Sequence, residues 1–396
     1  MSLKIITNFH ETAKHHGTVD IFVPNQYYDY RGKAEGCYKA AKSIPRKLQL
    51  KNDTQSLIEI SLNSKETIEY EETETIGKEL PPSYEQALLS VHSKTHVDGL
   101  KAASKKLKKG EVDQNFSKES SVWNGTYDAA ISSLYACLKC VDVVTDQSNL
   151  GMNAFANVWP PGHHAEGIDS DGEDIAMGFC YFSNATVAAV YAQNLGFRTL
   201  VIDIDNHSGN GTRRALRNKK ELAVLDFVYC SPFDERRGGY LDGYFDIKTN
   251  KVEGYLREYP YRHNQESIGV KAHPVYTAPN ILSLEFTGKE YRDGVNSIEP
   301  AATEDEILSR YTNEALPWIK SFDPQLIIWS VGLDSAADDP LGALGFLPST
   351  FYTVIRDTSL ALPNAKVMGI MEGGYKAENW TACLWPALLG IAGRTS

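Results

Sequence analysis

The chain has 396 residues, 42% hydrophobic and 23% charged, a composition that supports a large core and excludes a disordered or fibrous protein. Fifty-one acidic residues against 40 basic ones leave a net charge of −11, which argues against direct nucleic-acid binding and favours cationic partners. No apolar run reaches the roughly 18 residues of a membrane span, and the start, MSLKIITNFHE, lacks the basic and apolar regions of a secretory signal, so a cytoplasmic setting without a membrane partner is expected.

In chain order, the first 50 residues mix short apolar runs with Pro, Tyr and Lys, and residues 51–78 alternate polar and β-branched residues as exposed strands do. Both read as decoration on a larger fold, with 51–78 an insertion into a single domain spanning 1–396. His92 and His96 have the i, i+4 spacing of a zinc-protease helix, but Ser93 stands where that motif needs its Glu. Cys137 and Cys140 lie in an apolar, helix-periodic stretch and read as core, since six cysteines in this length make no disulfide framework.

From about residue 127, apolar helical periodicity alternates with the short runs FRTLVIDID, ELAVLDFVY, NILSLEF, QLIIWSVGL and KVMGIM. Each is apolar on both faces and well separated from the next, which predicts buried strands of a parallel sheet in an α/β fold. Thr303 and Glu306 offer a capping box, after which Ile307, Tyr311, Ala315 and Ile319 recur on one helix face. Residues 234–279 are too long and polar for an ordinary connection and read as a functional loop, an oligomer contact or an insertion.

Ligands of open parallel sheets bind beyond the carboxyl ends of the strands, and four such ends carry unusual residues: His163 and His164 after ProProGly, Asp205 and His207, Asp334, and Glu372 to Tyr375. On extended backbone, Asp205 and His207, two apart, point to the same side, and Asp334 would supply a third donor. One nitrogen and two oxygens suit a catalytic zinc or ferrous ion. The competing reading is that Asp205 and His207 cap the following helix. Gly209, Asn210 and Gly211 lack the Lys and glycine spacing of a phosphate loop. The tandem histidines have the chemistry of a base and an electrostatic helper, and Tyr375 either aims its hydroxyl into the site or packs in the core. Residues 166–174 hold five carboxylates in nine positions and read either as a charged loop at the site mouth, concentrating cationic substrates, or as a solvated surface loop with no role.

These motifs, in this order, resemble the histone deacetylase family in its broad sense, including the bacterial deacetylase-like and acetylpolyamine amidohydrolases. The likeness is carried by LeuLeuSerValHisSer from Leu88, TyrAspAlaAla, ProProGlyHisHisAla, GlyPheCysTyrPheSerAsnAla, AspIleAspAsnHisSerGlyAsnGlyThr, PheAspProGlnLeuIleIle, GlyLeuAspSerAlaAlaAspAspProLeuGly and GluGlyGlyTyr. The resemblance implies an arginase-deacetylase fold, a mostly parallel eight-stranded sheet between helix layers. It implies one catalytic zinc on Asp205, His207 and Asp334, His164 as general base and acid, His163 as its electrostatic neighbour, and Tyr375 as the oxyanion donor. Asp203 and Asn210 match the partners of His163 and His164, while Phe179 and Gly178 match the substrate tunnel. A structural potassium ion near the Asp203 to His207 backbone is implied as well. The implied reaction is hydrolysis of acetyl-lysine amides in a protein or peptide, or alternatively of acetylated polyamines or similar small amides; a catalytically dead binding module is the remaining reading. Ser208 stands where the family usually has a second His, and Trp159 where it has Arg. The acidic residue that grips substrate backbone falls among Glu111, Asp113 and Glu119.

Overall fold

A computed structural model describes residues 2–8, 68–72, 79–108, 111–113, 116, 120–149, 151–168, 176–230, 233–234, 239–240, 244–246, 251–253, 278–287, 300–339, 342, 344–376 and 379–393. Its centre is a sheet of eight strands: β1 (Ser2–Thr7), β2 (Ile68–Glu72), β3 (Met152–Asn157), β4 (Thr199–Asp203), β5 (Leu222–Cys230), β6 (Ile281–Thr287), β7 (Leu326–Val331) and β8 (Lys366–Met371). In space they run β2-β1-β3-β8-β7-β4-β5-β6, and all seven pairings are parallel. The five strands expected from apolar runs are β4 to β8.

Alternation along each strand divides the core. Leu200, Ile202, Leu225, Phe227, Ile327, Trp329 and Val367 face one layer, while Val201, Val224, Ile328, Met368 and Ile370 face the other. On the second face lie α1 (Pro82–Val91), α2 (Lys94–Lys106), α3 (Thr126–Thr145) and α4 (Asn184–Asn194), with α5 (Asn210–Leu216) at its end. The first face is covered by α6 (Glu304–Arg310), α7 (Leu316–Phe322), α8 (Pro348–Ala361) and α9 (Leu384–Ala392). Being covered on both sides is what allows strands such as LIIWSV to be apolar on both faces.

Local signals behave as their chemistry requires. Thr303 accepts from the Glu306 amide while the Glu306 carboxylate accepts from the Thr303 amide, closing the capping box of α6. Ile307, Tyr311, Ala315 and Ile319 are all buried, yet the helix between α6 and α7 widens into a π turn over Tyr311–Ala315. A strict four-residue spacing outruns an α-helical turn of about 3.6 residues, and one turn with i→i+5 bonds brings the stripe back toward the sheet. Cys137 and Cys140 are free and buried in α3, their thiols pushed up by burial. His92 Nε2 accepts from the Ser183 amide at 2.9 Å, and His96 Nε2 lies 2.8 Å from the Tyr181 carbonyl, so this pair braces the 181–183 segment.

The periphery departs from the sequence reading. Ser2–Thr7 pairs with both β2 and β3, and Ile68–Glu72 forms an edge of the main sheet, so neither the start nor all of 51–78 is decoration. The reason is its edge position: Ile68–Glu72 pairs with β1 at the end of the sheet, and Glu71 accepts from Lys4 and Lys139. The remainder of 51–78, and residues 234–279 apart from 234, 239–240, 244–246, 251–253 and 278–279, lie outside the described residues.

Candidate active site

Four adjacent strands, β3, β8, β7 and β4, meet where the strand order reverses twice, and every candidate residue except Phe179, Gly178 and Asn210 lies within four residues of one of their carboxyl ends or immediately beyond, at His163 and His164. Crevices at such reversals are the places where a parallel sheet binds ligands.

Beyond β4 the backbone turns; it does not continue extended as expected. The Asp205 amide donates to Asp203 Oδ1 at 3.0 Å and the His207 amide to Asp205 Oδ1 at 2.9 Å. These turns converge Asp205 and His207 just as extended backbone would, by a different route. The competing capping role is not realised: α5 starts after Gly209 with no side-chain cap. Its first free amides, Gly211 and Thr212, donate instead to the His163 carbonyl at 2.9 and 3.3 Å, docking the helix on the tandem-histidine turn.

Asp205, His207 and Asp334 bring one donor atom each to within 4.8 Å of one another. His207 Nδ1 is 3.0 Å from Asp334 Oδ2 and 3.3 Å from Asp205 Oδ1. Both carboxylates are fully buried; burial and the Asp205 charge push the Asp334 carboxyl up, while burial is overcome at His207 by the two carboxylates, which hold its imidazole up to about 10. The pair therefore demands a positive partner, and a divalent cation would take the role of that proton. A Cβ on Gly373 would lie 2.5 Å from Asp205 Oδ2 and from Asp334 Oδ2, and the Gly373 amide donates to Asp205 Oδ2 at 2.8 Å. The donor set and its crowded glycine wall fit a small, oxygen-and-nitrogen-bound ion such as zinc.

The tandem histidines sit beside this cluster, their rings 3.9 Å apart and that of His164 6.0 Å from His207. His163 Nδ1 donates to Asp203 Oδ2 at 3.0 Å, and His164 Nδ1 pairs with Asn210 Oδ1 at 2.7 Å. Their environments push them apart. Burial opposes charge on His163, but Asp205 and Asp203 overcome it and hold the imidazole well above its ordinary value. Burial, with the neighbouring His163 and His207, holds His164 well below its own. Such divergence separates an electrostatic group from a base.

Gly178 (φ 54°) and Phe179 (φ 68°) are consecutive left-handed residues. A Cβ on Gly178 would lie 2.3 Å from His164 Cδ2, so only glycine leaves that ring edge open. Phe179 stands between Trp159 and Tyr375, each ring centroid 6.4 Å away. Tyr375 is half-buried at the margin of the site, outside the core clusters, with its amide donating to Asp339 Oδ2 at 2.8 Å. Of the acidic candidates, Glu111 accepts the Lys108 amide at 2.8 Å, Asp113 lies in the short strand Val112–Asp113, and Glu119 is outside the described residues.

Three residues near the site make contacts that the sequence does not predict. Glu372 accepts the Gly162 and His163 amides. Buried Asp226 accepts from Ser208 Oγ at 3.1 Å, the Gly209 amide at 3.2 Å and Arg213 Nη1 at 3.4 Å. Glu166, taken above as one of the loop's steering charges, is buried and accepts from Asn210 Nδ2 at 2.6 Å and from Arg214. Its flanking Ala165 and Gly167, set apart from the acidic run that follows, were the available signal. Asp169 to Asp174 lie outside the described residues.

The sequence profile of the histone deacetylase domain matches residues 50–391, and the chain belongs to that family. It is 29% identical over 302 residues to histone deacetylase 15 of Arabidopsis thaliana, covering 75% of this chain and 45% of that protein. It is 28% identical over 351 residues to polyamine deacetylase HDAC10 of Danio rerio, covering 81% and 42%. The crystal structure of the HDA15 HD domain superposes with a TM-score of 0.65 at 20% identity, over 100% of this chain and 91% of that one, a likeness of fold. The chain spans about half the length of the curated relatives it matches. Among the described residues, no helix is long and apolar enough to cross a membrane.

Proposed function

We propose that this protein is a zinc-dependent amide hydrolase that removes acetyl groups from lysine side chains of proteins or peptides. The observation that carries the reading is the juxtaposition of a three-donor cluster, Asp205, His207 and Asp334, with two histidines whose Nδ1 atoms are both engaged. Holding Nδ1 fixes the orientation of each ring, and Nε2 of His164 is the nitrogen that meets the substrate in this reading.

Zinc on the three donors would supply Lewis acidity, acidifying water and polarising the acyl carbonyl. His164, held neutral by burial, takes a proton from the attacking water and later delivers it to the leaving amine. His163, held cationic by Asp203 and Asp205, stabilises the negative charge that develops. The Tyr375 hydroxyl donates to the oxyanion. Phe179 lines the passage through which the acylated chain enters, and Gly178 keeps the His164 edge free. The products are a free amine and acetate.

Hydrolysis of acetylated polyamines is the second reading, supported by the likeness to a polyamine deacetylase and by the net charge of −11. Turnover of an acetyl-lysine peptide and of acetylated polyamines, side by side, with and without chelator, tests both. Chelator-sensitive release from the peptide, restored by zinc, is expected; preference for the polyamines would select the second reading, and no turnover of either would overturn both.

A further inference from the structure

Asn210 lies between two groups that ask different things of its amide. Its Oδ1 faces His164 Nδ1 at 2.7 Å. Among the described residues, its Nδ2 faces only acceptors: Glu166 Oε1 at 2.6 Å, Met177 Sδ at 3.4 Å and the His164 carbonyl at 3.5 Å. Turning the amide over would place Oδ1 against a carboxylate oxygen at the same short separation, two acceptors in contact inside the protein. Glu166 is 2% exposed and is itself fixed by a salt bridge from Arg214, whose side chain is 9% exposed.

We propose that Glu166, braced by Arg214, is a positioning residue that locks the Asn210 amide and thereby fixes the tautomer of His164. A carboxylate accepts and never donates, so Nδ2 must point to Glu166 and Oδ1 to His164. Oδ1 cannot donate either, so His164 Nδ1 carries the proton and Nε2 keeps its lone pair. The lock thus reaches from the pair that Glu166 makes with Arg214 of α5 to the atom that abstracts the proton, without Glu166 touching substrate. It rests on the reading of His164 as the general base given above.

The test uses the full chain labelled with 15N-histidine, with the His164 ring signals assigned by their loss in His164→Asn. Wild type should show His164 protonated at Nδ1 alone. In Glu166→Gln the replacement amide can present either face, so the Asn210 amide is free to turn, and a second His164 tautomer should appear. With it, kcat should fall at least about tenfold while KM changes less than about threefold and bound zinc stays stoichiometric. Should Glu166→Gln leave Arg214 uncompensated and the protein unfolded, Glu166→Gln with Arg214→Met removes both charges and should show the same mixture and the same loss of kcat. A folded variant of either kind with His164 wholly Nδ1-protonated and kcat within twofold of wild type overturns the lock. If wild type hydrolyses no acetylated amide, the functional reading fails, while the tautomer spectra still decide on the lock.

Discussion

Glu372 accepts the backbone amide of His163 at 3.2 Å through the same oxygen that accepts the Gly162 amide at 2.8 Å. The end of β8 therefore holds the turn that follows β3, and Ser330 Oγ of β7 donates to the other carboxylate oxygen at 3.2 Å. Three of the four site strands are tied by one buried side chain.

That tie has a pH signature. Burial pushes the Glu372 carboxyl up to about 7 from an ordinary 4.5, even against the favourable His163 charge. A carboxyl raised in the folded state binds its proton more tightly than in the unfolded chain, so stability falls as pH rises from about 4.5 through about 7. The full effect is on the order of 3 kcal/mol. Glu372→Gln keeps an acceptor for both amides and does not titrate. Its melting temperature relative to wild type should rise steadily between pH 5 and 8, and a difference independent of pH would refute the assignment.

Asp334→Asn should separate charge from ligation. Without metal it relieves the repulsion between two buried carboxylates, so the chelated variant should melt no lower than chelated wild type. Zinc at ~1,000 times Kd stabilises a binding protein by about 4 kcal/mol, and this shift should vanish in the variant together with turnover. Retention of stoichiometric zinc would show that Asp334 is not a ligand.

Gly373→Ala places a methyl group 2.5 Å from Asp205 Oδ2 and Asp334 Oδ2; the Gly373 amide holds the first oxygen and the Asn206 amide holds the other oxygen of Asp334, Oδ1, so both carboxylates are anchored. Zinc affinity should drop at least about tenfold with the far-ultraviolet circular dichroism unchanged. Wild-type affinity, measured by equilibrium dialysis, would mean that the donors are less crowded than described.

Tyr375→Phe should lower kcat by ~10²–10³ with little change in zinc content or melting temperature, since it removes one preorganised oxyanion donor. Its ring lies outside the core clusters, half-buried beside Phe179; a large loss of melting temperature would instead mark it as a packing residue.

The sequence by itself determined the parallel sheet, because a strand covered on both faces is mostly apolar on both, and runs such as TLVID and LIIWSV are apolar on both faces with polar residues only at or near their ends. It also determined which strand ends carry reactive side chains, since His163, His164, Asp205, His207, Asp334 and Tyr375 stand at or just beyond β-run boundaries. Tertiary structure decided what those residues lean on. Glu372 stands at a strand end, Asp226 within an apolar run and Glu166 beside an acidic one, but nothing in the sequence names their partners, and their burial depends on where Arg214, Arg213 and the ProProGly turn arrive from other parts of the chain. The edge strand Ile68–Glu72 was hidden for a related reason. Its residues alternate as those of an exposed strand do, and only pairing with Ser2–Thr7 across a separation of more than 60 residues makes it part of the main sheet.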